Sequence, residues 1–311
     1  MTATARELPV RSRWRRRVRR GVAALAAMAL LAVALLAWAN AHWPPRLDLL
    51  DAVPASAEVL DRAGGVLARR VGSDEQFRQP IPLEAMGQWL PLAAIAAEDA
   101  RFRSHPGVDP FAVVRAFGQM VAHGRVISGA STITMQVCRM VEPRPRTFVA
   151  KAIEALRAIQ LERCRGKDRI LEDWLNLIPV GGNVRGVEAG AWRWFGCRAR
   201  DLTLDEAALL VGLAQSPSRL RPDRHPDEAR GRRDWVLGRM LELGMIDARA
   251  CRRARERGIA LVQQAPTHAA PHAAALALAL RPAGGRTTID PAVQALLSTV
   301  VAQDLARLRT L

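Results

Sequence analysis

An unbroken apolar stretch of 19 residues, Gly21 to Ala39, constrains this chain of 311 residues more than any other feature. About 20 apolar residues are enough for a helix to cross the hydrocarbon core of a bilayer. Eight arginines and a single acid, Glu7, precede the stretch, and such a positive bias predicts that the N-terminus stays in the cytoplasm. A cleaved signal peptide is the alternative, but the stretch exceeds the roughly 7–15 residues of a signal core. We therefore predict a basic cytoplasmic tail at residues 1–20 and one transmembrane helix at 21–40.

The charge and the cysteines restrict the classes of ligand. The formal net charge is +16, and 44 of the 46 basic residues are arginine. A nucleic-acid-binding tail is one interpretation of the arginine-rich start, but it leaves the apolar stretch unexplained, so we expect no nucleic-acid partner. Four cysteines lack the paired spacing of a zinc site, and His105 has no second histidine at metal-binding spacing. The sequence predicts no metal site.

Periodicity predicts a mainly α-helical body that follows a small β-hairpin. Two apolar runs flank Gly64-Gly65 within residues 58–71, as is typical of a hairpin. From Pro82 to about Val262 the apolar period is helical nearly throughout. Thr203 and Glu206 have the spacing of a capping box and open an apolar helix.

Two short runs about thirty residues apart predict one active site. The first begins with Glu98-Asp99 directly after an apolar run and ends with His105-Pro106-Gly107. The second is Gly129-Ala130-Ser131-Thr132-Ile133-Thr134-Met135-Gln136. A carboxylate in a water-poor place can act as a general base, and a Gly-small-Ser-Thr run offers donors to an anion. The combination predicts acid/base chemistry on a substrate that carries phosphate.

Five motifs in order resemble those of the peptidoglycan glycosyltransferases, glycosyltransferase family 51. The two runs above match the first two motifs. The other three are Lys151-x-x-Glu154, then Ile170-Leu171-Glu172-x-x-Leu175-Asn176, then Glu206–Leu210 with Gln215-Ser216-Pro217-Ser218. The resemblance covers roughly residues 45–240 and implies a lysozyme-like glycosyltransferase domain, which we assign to residues 45–262.

The resemblance implies an enzyme that polymerises lipid II into β-1,4-linked glycan, with inversion at the anomeric carbon and polyprenyl pyrophosphate as the leaving group. Glu98 would be the general base, and Glu154 would position or polarise the reacting groups. The substrate-binding residues would be Asp99, Ser131, Thr132, Gln136, Arg139, Arg146 and Lys151. Outside the family context, Glu98 would be a solvated helix end, and Lys151 and Glu154 a surface ion pair.

The same resemblance implies the partners and the cellular location of the enzyme. Its partners would be lipid II, the growing glycan strand, the membrane and other proteins of cell-wall synthesis. The domain would face the periplasm from a single-pass anchor in the bacterial inner membrane. No cofactor is required by the sequence, although some relatives use a divalent cation such as Mg²⁺ or Mn²⁺ beside the pyrophosphate. Ala130, Met135 and Ala150 depart from the family pattern, and Ala150 removes a basic neighbour of Lys151.

The C-terminal part predicts a linker at residues 263–285 and the start of a truncated transpeptidase domain at 286–311. Residues 286–294 resemble the entry to that domain in class A penicillin-binding proteins. A transpeptidase needs Ser-x-x-Lys, but Phe148 and Cys164 stand three residues before the two lysines. We therefore expect no transpeptidase activity in this chain. A truncated protein, a split gene or a chain cut at a chosen boundary would each explain why only the start of this domain is present. A dedicated monofunctional enzyme would explain it less well.

Two rival functions differ in class from the polymerase. A non-catalytic scaffold would bind lipid II or cell-wall partners without reacting, but Glu98 and Glu154 are both present. A lysozyme-like hydrolase would cut glycans, but it has no pyrophosphate to hold, and the phosphate-type motif and the anchor would then be unexplained.

Overall fold

The computed structural model describes residues 44–72, 74–123, 131–145, 147–262 and 270–309, together with scattered residues between 21 and 42. The predicted tail at 1–20 and part of the predicted anchor at 21–40 lie outside the described residues. Those residues of the anchor segment that are described are helical. Within the described ranges, no helix combines the length and apolar character that a membrane crossing needs. The chain divides into two units, one up to Arg46 and one from Leu47 onwards.

Helices dominate the second unit, so the predicted mainly α class is confirmed. Two small sheets accompany them. The helices are α1 (Leu47–Asp51), α2 (Trp89–Glu98), α3 (Pro110–His123), α4 (Ile133–Val141), α5 (Phe148–Cys164), α6 (Lys167–Leu177), α7 (Val187–Phe195), α8 (Leu204–Leu213), α9 (Pro226–Glu242), α10 (Ala248–Glu256), α11 (Pro271–Leu280) and α12 (Pro291–Leu308). The strands are β1 (Ala57–Leu60), β2 (Val66–Arg70), β3 (Phe77–Arg78), β4 (Val184–Arg185) and β5 (Gly284–Arg286).

The predicted β-hairpin is confirmed. β1 and β2 pair antiparallel, with Glu58 opposite Arg69. Asp61 closes the turn, because its carboxylate accepts the backbone N–H groups of Ala63 and Gly65 at 2.7 and 2.8 Å. β5 adds to the other edge of β1 in parallel, and β3 pairs with β4 in a separate two-stranded sheet.

Helix α8 is the centre of the core. The predicted capping box is confirmed, since the backbone N–H of Thr203 donates to the Glu206 carboxylate at 2.9 Å. Leu204, Leu209, Leu210 and Leu213 are all buried, and α2 and α9 pack against this helix. A helix that is apolar all round belongs in a core. Because α2 packs here and buries Leu90 and residues 93–96, its last residue, Glu98, is held at the edge of the core.

The segment predicted as a linker contains regular structure where it is described. Helix α11 packs on β1 and β2, and Val59, Leu67 and Ala274 form a second, small core. The physical reason lies in its composition, because a run of alanine and leucine is among the strongest helix formers. Helix α12, which follows β5, has no buried residue.

Candidate active site

A cleft of about 750 Å³ lies where the end of α2, the start of α4 and one face of α9 meet. Carboxylate side chains and cationic side chains line this cleft. The polar side chains in its wall include Glu98, Arg101, Ser131, Gln136, Arg139 and Arg232.

Glu98 is held from both sides of its carboxylate. The Gln136 amide N–H donates to Oε2 at 2.7 Å, and Nη2 of Arg232 lies 3.5 Å from Oε1. The buried indole of Trp174 donates to the Gln136 amide oxygen at 3.1 Å, which fixes the orientation of that amide. Glu98 keeps about one sixth of its side chain exposed, at 16%, so substrate can reach it.

Asp99 turns away from the solvent and fixes the loop that follows it. Its carboxylate accepts from Nε2 of His105 at 2.9 Å and from the backbone N–H of Ile133 at 3.1 Å. Nδ1 of His105 accepts the Gly107 N–H at 3.2 Å, so His105 fixes this loop from both ring nitrogens. Gly107 has φ +94°, and a Cβ there would lie 2.5 Å from the Ala158 carbonyl oxygen. Only glycine fits this contact between the first motif and α5.

Thr132 begins α4 as its N-cap. Its hydroxyl accepts the Met135 N–H at 3.1 Å and donates to the Gly107 carbonyl. Thr132 is 2% exposed, so the structure uses its hydroxyl to join the first two motifs. Ser131, just before it, lines the cleft and accepts a hydrogen bond from Nζ of Lys151.

Glu154 forms the second acidic centre, on α5. It is 6% exposed, and a buried carboxylate needs partners. Nζ of Lys151, one turn earlier on α5, lies 3.1 Å from Oε2. Nη1 of Arg139 lies 3.9 Å from the same oxygen. The side chains of both cations remain about 40% exposed or more, so they can also meet an anion.

Helix α4 therefore connects the two acidic centres. Gln136 reaches Glu98, and Arg139, one turn later, reaches Glu154. All the predicted site residues that are described fall on this connected set. Arg146, together with Gly129 and Ala130 of the second motif, lies outside the described residues.

Sequence reasoning did not find several residues of the site. Arg232 and Trp174 hold the Glu98–Gln136 pair, and Arg101 forms a bidentate ion pair with Asp109 in the wall of the cleft. Trp174 lies inside the fourth motif and could have been suspected there. No sequence signal marked Arg232, because nothing distinguished it from the other arginines among the 44 in the chain.

In the part of the chain that the structure describes, no three His, Cys, Asp or Glu side chains are grouped to hold a metal ion. The two acidic side chains Glu98 and Glu154 face cations of the protein itself. The arrangement can therefore take a proton at Glu98 and offer positive charge to an anion near Ser131, Arg139 and Lys151.

Comparisons with known proteins agree with the motifs. The family model described as transglycosylase matches residues 64–241. Penicillin-binding protein 1C of Escherichia coli K12 is 41% identical over 76% of this chain and 30% of its own length. Penicillin-binding protein 1A of Aquifex aeolicus is also 41% identical, over 62% of this chain and 26% of its own.

A crystal structure of penicillin-binding protein 1A from Haemophilus influenzae matches 73% of this chain with a TM-score of 0.42 and 21% identity. The chain spans less than a third of the length of these relatives. The family match covers more than half of the chain and includes all five motifs. The chain therefore belongs to the transglycosylase family, the peptidoglycan glycosyltransferases of glycosyltransferase family 51.

Proposed function

We propose that this chain polymerises lipid II into β-1,4-linked glycan strands by inverting glycosyl transfer. Glu98 takes the proton of the acceptor sugar's 4-hydroxyl as that oxygen attacks C1 of the growing strand. The bond from C1 to the polyprenyl pyrophosphate breaks, and the pyrophosphate leaves with the bonding electrons.

The observation that carries this proposal is the setting of Glu98. A carboxylate has about four acceptor positions on its two oxygens. Gln136 uses one on Oε2 and Arg232 faces Oε1, so positions remain for an incoming hydroxyl. A positioned carboxylate of this kind suits a general base.

The second acidic centre supports the site of the leaving group. Lys151 and Arg139 meet at Glu154, next to the hydroxyl of Ser131. Cations at a developing phosphate charge stabilise a transition state more than a ground state. Glu154 neutralises and orients these cations between turnovers. A glycan hydrolase has no phosphate to hold, so this cluster favours the transferase.

The rest of the proposal concerns the cellular setting. The basic start and the apolar segment at 21–40 support a single-pass anchor in the bacterial inner membrane, with the lysozyme-like domain facing the periplasm. Lipid II and the growing strand would be its substrates, and other cell-wall proteins its partners. The absence of Ser-x-x-Lys from the sequence supports a chain without transpeptidase activity.

The direct test uses purified protein and labelled lipid II in detergent. We expect a polymer that lysozyme digests, made without added penicillin-sensitive enzyme. Binding of lipid II without polymer would favour a non-catalytic scaffold, and release of short glycans from preformed polymer would favour a hydrolase.

A further inference from the structure

Two neighbouring arginines of α9, of which one is buried and one half-buried, point inward for different reasons. Arg233 is 1% exposed, and its guanidinium donates to the backbone carbonyls of Arg257 and Arg255 at 2.6 and 3.0 Å. It therefore fastens the C-terminal end of α10 and the residue after it to α9, which is a structural role. Arg232 makes no such contact with the backbone of any described residue.

The side chain of Arg232 points into the cleft beside Glu98. It is 11% exposed, and Nη2 lies 3.5 Å from Oε1 of Glu98. Its guanidinium lies over the ring of Trp235, with Cζ 4.1 Å from the ring centroid. Its Nε is buried and makes no hydrogen bond to any described residue.

These contacts would be a poor arrangement if the only purpose were stability. A buried charge is costly unless it is paired and hydrogen-bonded. Burial lowers the pKa of Arg232, and the charge of Glu98 opposes that effect. The stem of Arg232 also lies close to Gly212 of α8, where an added Cβ would be 3.1 Å from Cγ. The core therefore leaves room for this side chain to reach Glu98.

We propose that Arg232 is a positioning residue for the general base. It holds Oε1 of Glu98 while Gln136 holds Oε2, so the plane of the carboxylate is fixed and its remaining acceptor positions face the cleft. Trp235 keeps the guanidinium flat against one wall. This role rests on the proposed function, because it acts through Glu98 and not through the substrate.

The role predicts a particular change in kinetics. A base that can rotate is still present but is misplaced in the transition state, and small misplacements can cost about 10²-fold in rate. Such a loss appears as a lower kcat. In contrast, the loss of a substrate contact that is equally strong in the ground state and the transition state raises KM and leaves kcat unchanged.

The experiment measures steady-state polymerisation of lipid II by the full chain and three variants. We expect Arg232→Gln to lower kcat by about 10–100-fold with KM within about twofold of wild type. Arg232→Lys keeps the charge but loses the planar stacking. Its kcat should therefore be at least about tenfold higher than that of Arg232→Gln. Arg230→Gln is the matched control, since Arg230 is exposed on the same helix, and it should behave as wild type.

The outcomes separate this role from the proposed function. Wild-type activity in Arg232→Gln, or a raised KM with an unchanged kcat, would overturn the positioning role alone. A loss that Arg232→Lys does not relieve, with a melting temperature well below wild type for both variants, would assign Arg232 to stability and would also overturn it. No polymer from the wild-type protein would overturn the proposed function, and this role with it.

Discussion

At the scale of single residues, the chemistry depends on a carboxylate whose two oxygens face different helices. Glu98 ends α2, while its partners Gln136 and Arg232 come from α4 and α9. The contact among the three side chains therefore depends on how these three helices pack at one point.

Replacing Glu98 with glutamine tests the base directly. Glu98→Gln keeps the size of the side chain but cannot take up the proton, so polymerisation should fall by about 10²–10⁴-fold. The melting temperature and lipid II binding should stay close to wild type. Glu84→Gln, at an exposed position, serves as the control and should be fully active. A wild-type rate in Glu98→Gln would remove this residue from the mechanism.

The two cations beside Glu154 should differ in kinetic effect. Lys151 contacts both Ser131 and Glu154, and Ala150 leaves it without a basic neighbour. We expect Lys151→Ala to lower kcat by about 10²-fold, as for the loss of one donor to a developing charge, and Arg139→Ala chiefly to raise KM. Steady-state kinetics with Arg163→Ala, exposed at the end of α5, as control would settle the order. The reverse order would move the leaving group away from the third motif.

Sequence reasoning predicted the chemical groups of the site better than their contacts. The motifs brought Glu98, Gln136 and Lys151 into one connected set, and their roles stay predictions. Thr132 and Asp99 were predicted to bind substrate, and that role stays a prediction. Both line the cleft, and their polar atoms also form the N-cap of α4 and hold the His105 loop. The N-cap contact of Thr132 is local, whereas the contact between Asp99 and Ile133 depends on where α4 meets α2, which no local pattern encodes.

At the scale of elements, a charged network joins α1, the end of α5 and α6. Arg165 donates to Asp173 at 2.9 Å and also to Asp51, and Nε of Arg169 lies 3.5 Å from Asp173. Burial raises the pKa of Asp173 to about 6, although Arg165 and Arg169 oppose this effect and the charge of Glu172 adds to it.

This pKa predicts how stability changes with pH. The usual value is 3.8, so between about pH 4 and pH 6 the folded protein binds more protons at Asp173 than the unfolded chain does. Stability from this group therefore falls as pH rises, by roughly 1 kcal/mol between pH 5 and pH 7. Asp173→Asn cannot titrate, so it should lose that slope even if its overall stability is lower. Thermal melts at pH 5, 6 and 7 check this, and an equal slope in both proteins would contradict it.

Elements were predictable where local signals are strong. The Gly64-Gly65 hairpin and the capping box of α8 follow from turn and cap chemistry within a few residues. The two-residue strands β3 and β4 did not have such a signal, because a strand this short is fixed only by its partner. The pair joins Phe77 to Val184, more than 100 residues later.

At the scale of the whole molecule, a strand near the start of the second unit pairs with a strand more than 200 residues later. β5 lies beside β1, and the backbone N–H of Thr287 donates to the Leu60 carbonyl at 2.7 Å. Contacts between residues so distant in sequence carry a large loop-closure cost and leave no local pattern. The positions of α11 and β5 against this sheet could therefore not be predicted from sequence alone, although the alanine and leucine of α11 favour a helix.

The same C-terminal region supplies the last prediction, which concerns reaction with β-lactams. Residues 286–294 resemble the entry to a transpeptidase domain, yet the chain has no Ser-x-x-Lys, and acylation by penicillin needs a serine activated by such a lysine. We therefore expect fluorescent penicillin to leave this chain unlabelled after denaturing electrophoresis. Penicillin-binding protein 1C of Escherichia coli, treated in parallel, serves as the positive control. Stoichiometric label that survives denaturation would show that another nucleophile of this chain reacts, and the assignment of a glycosyltransferase without acyl chemistry would be wrong.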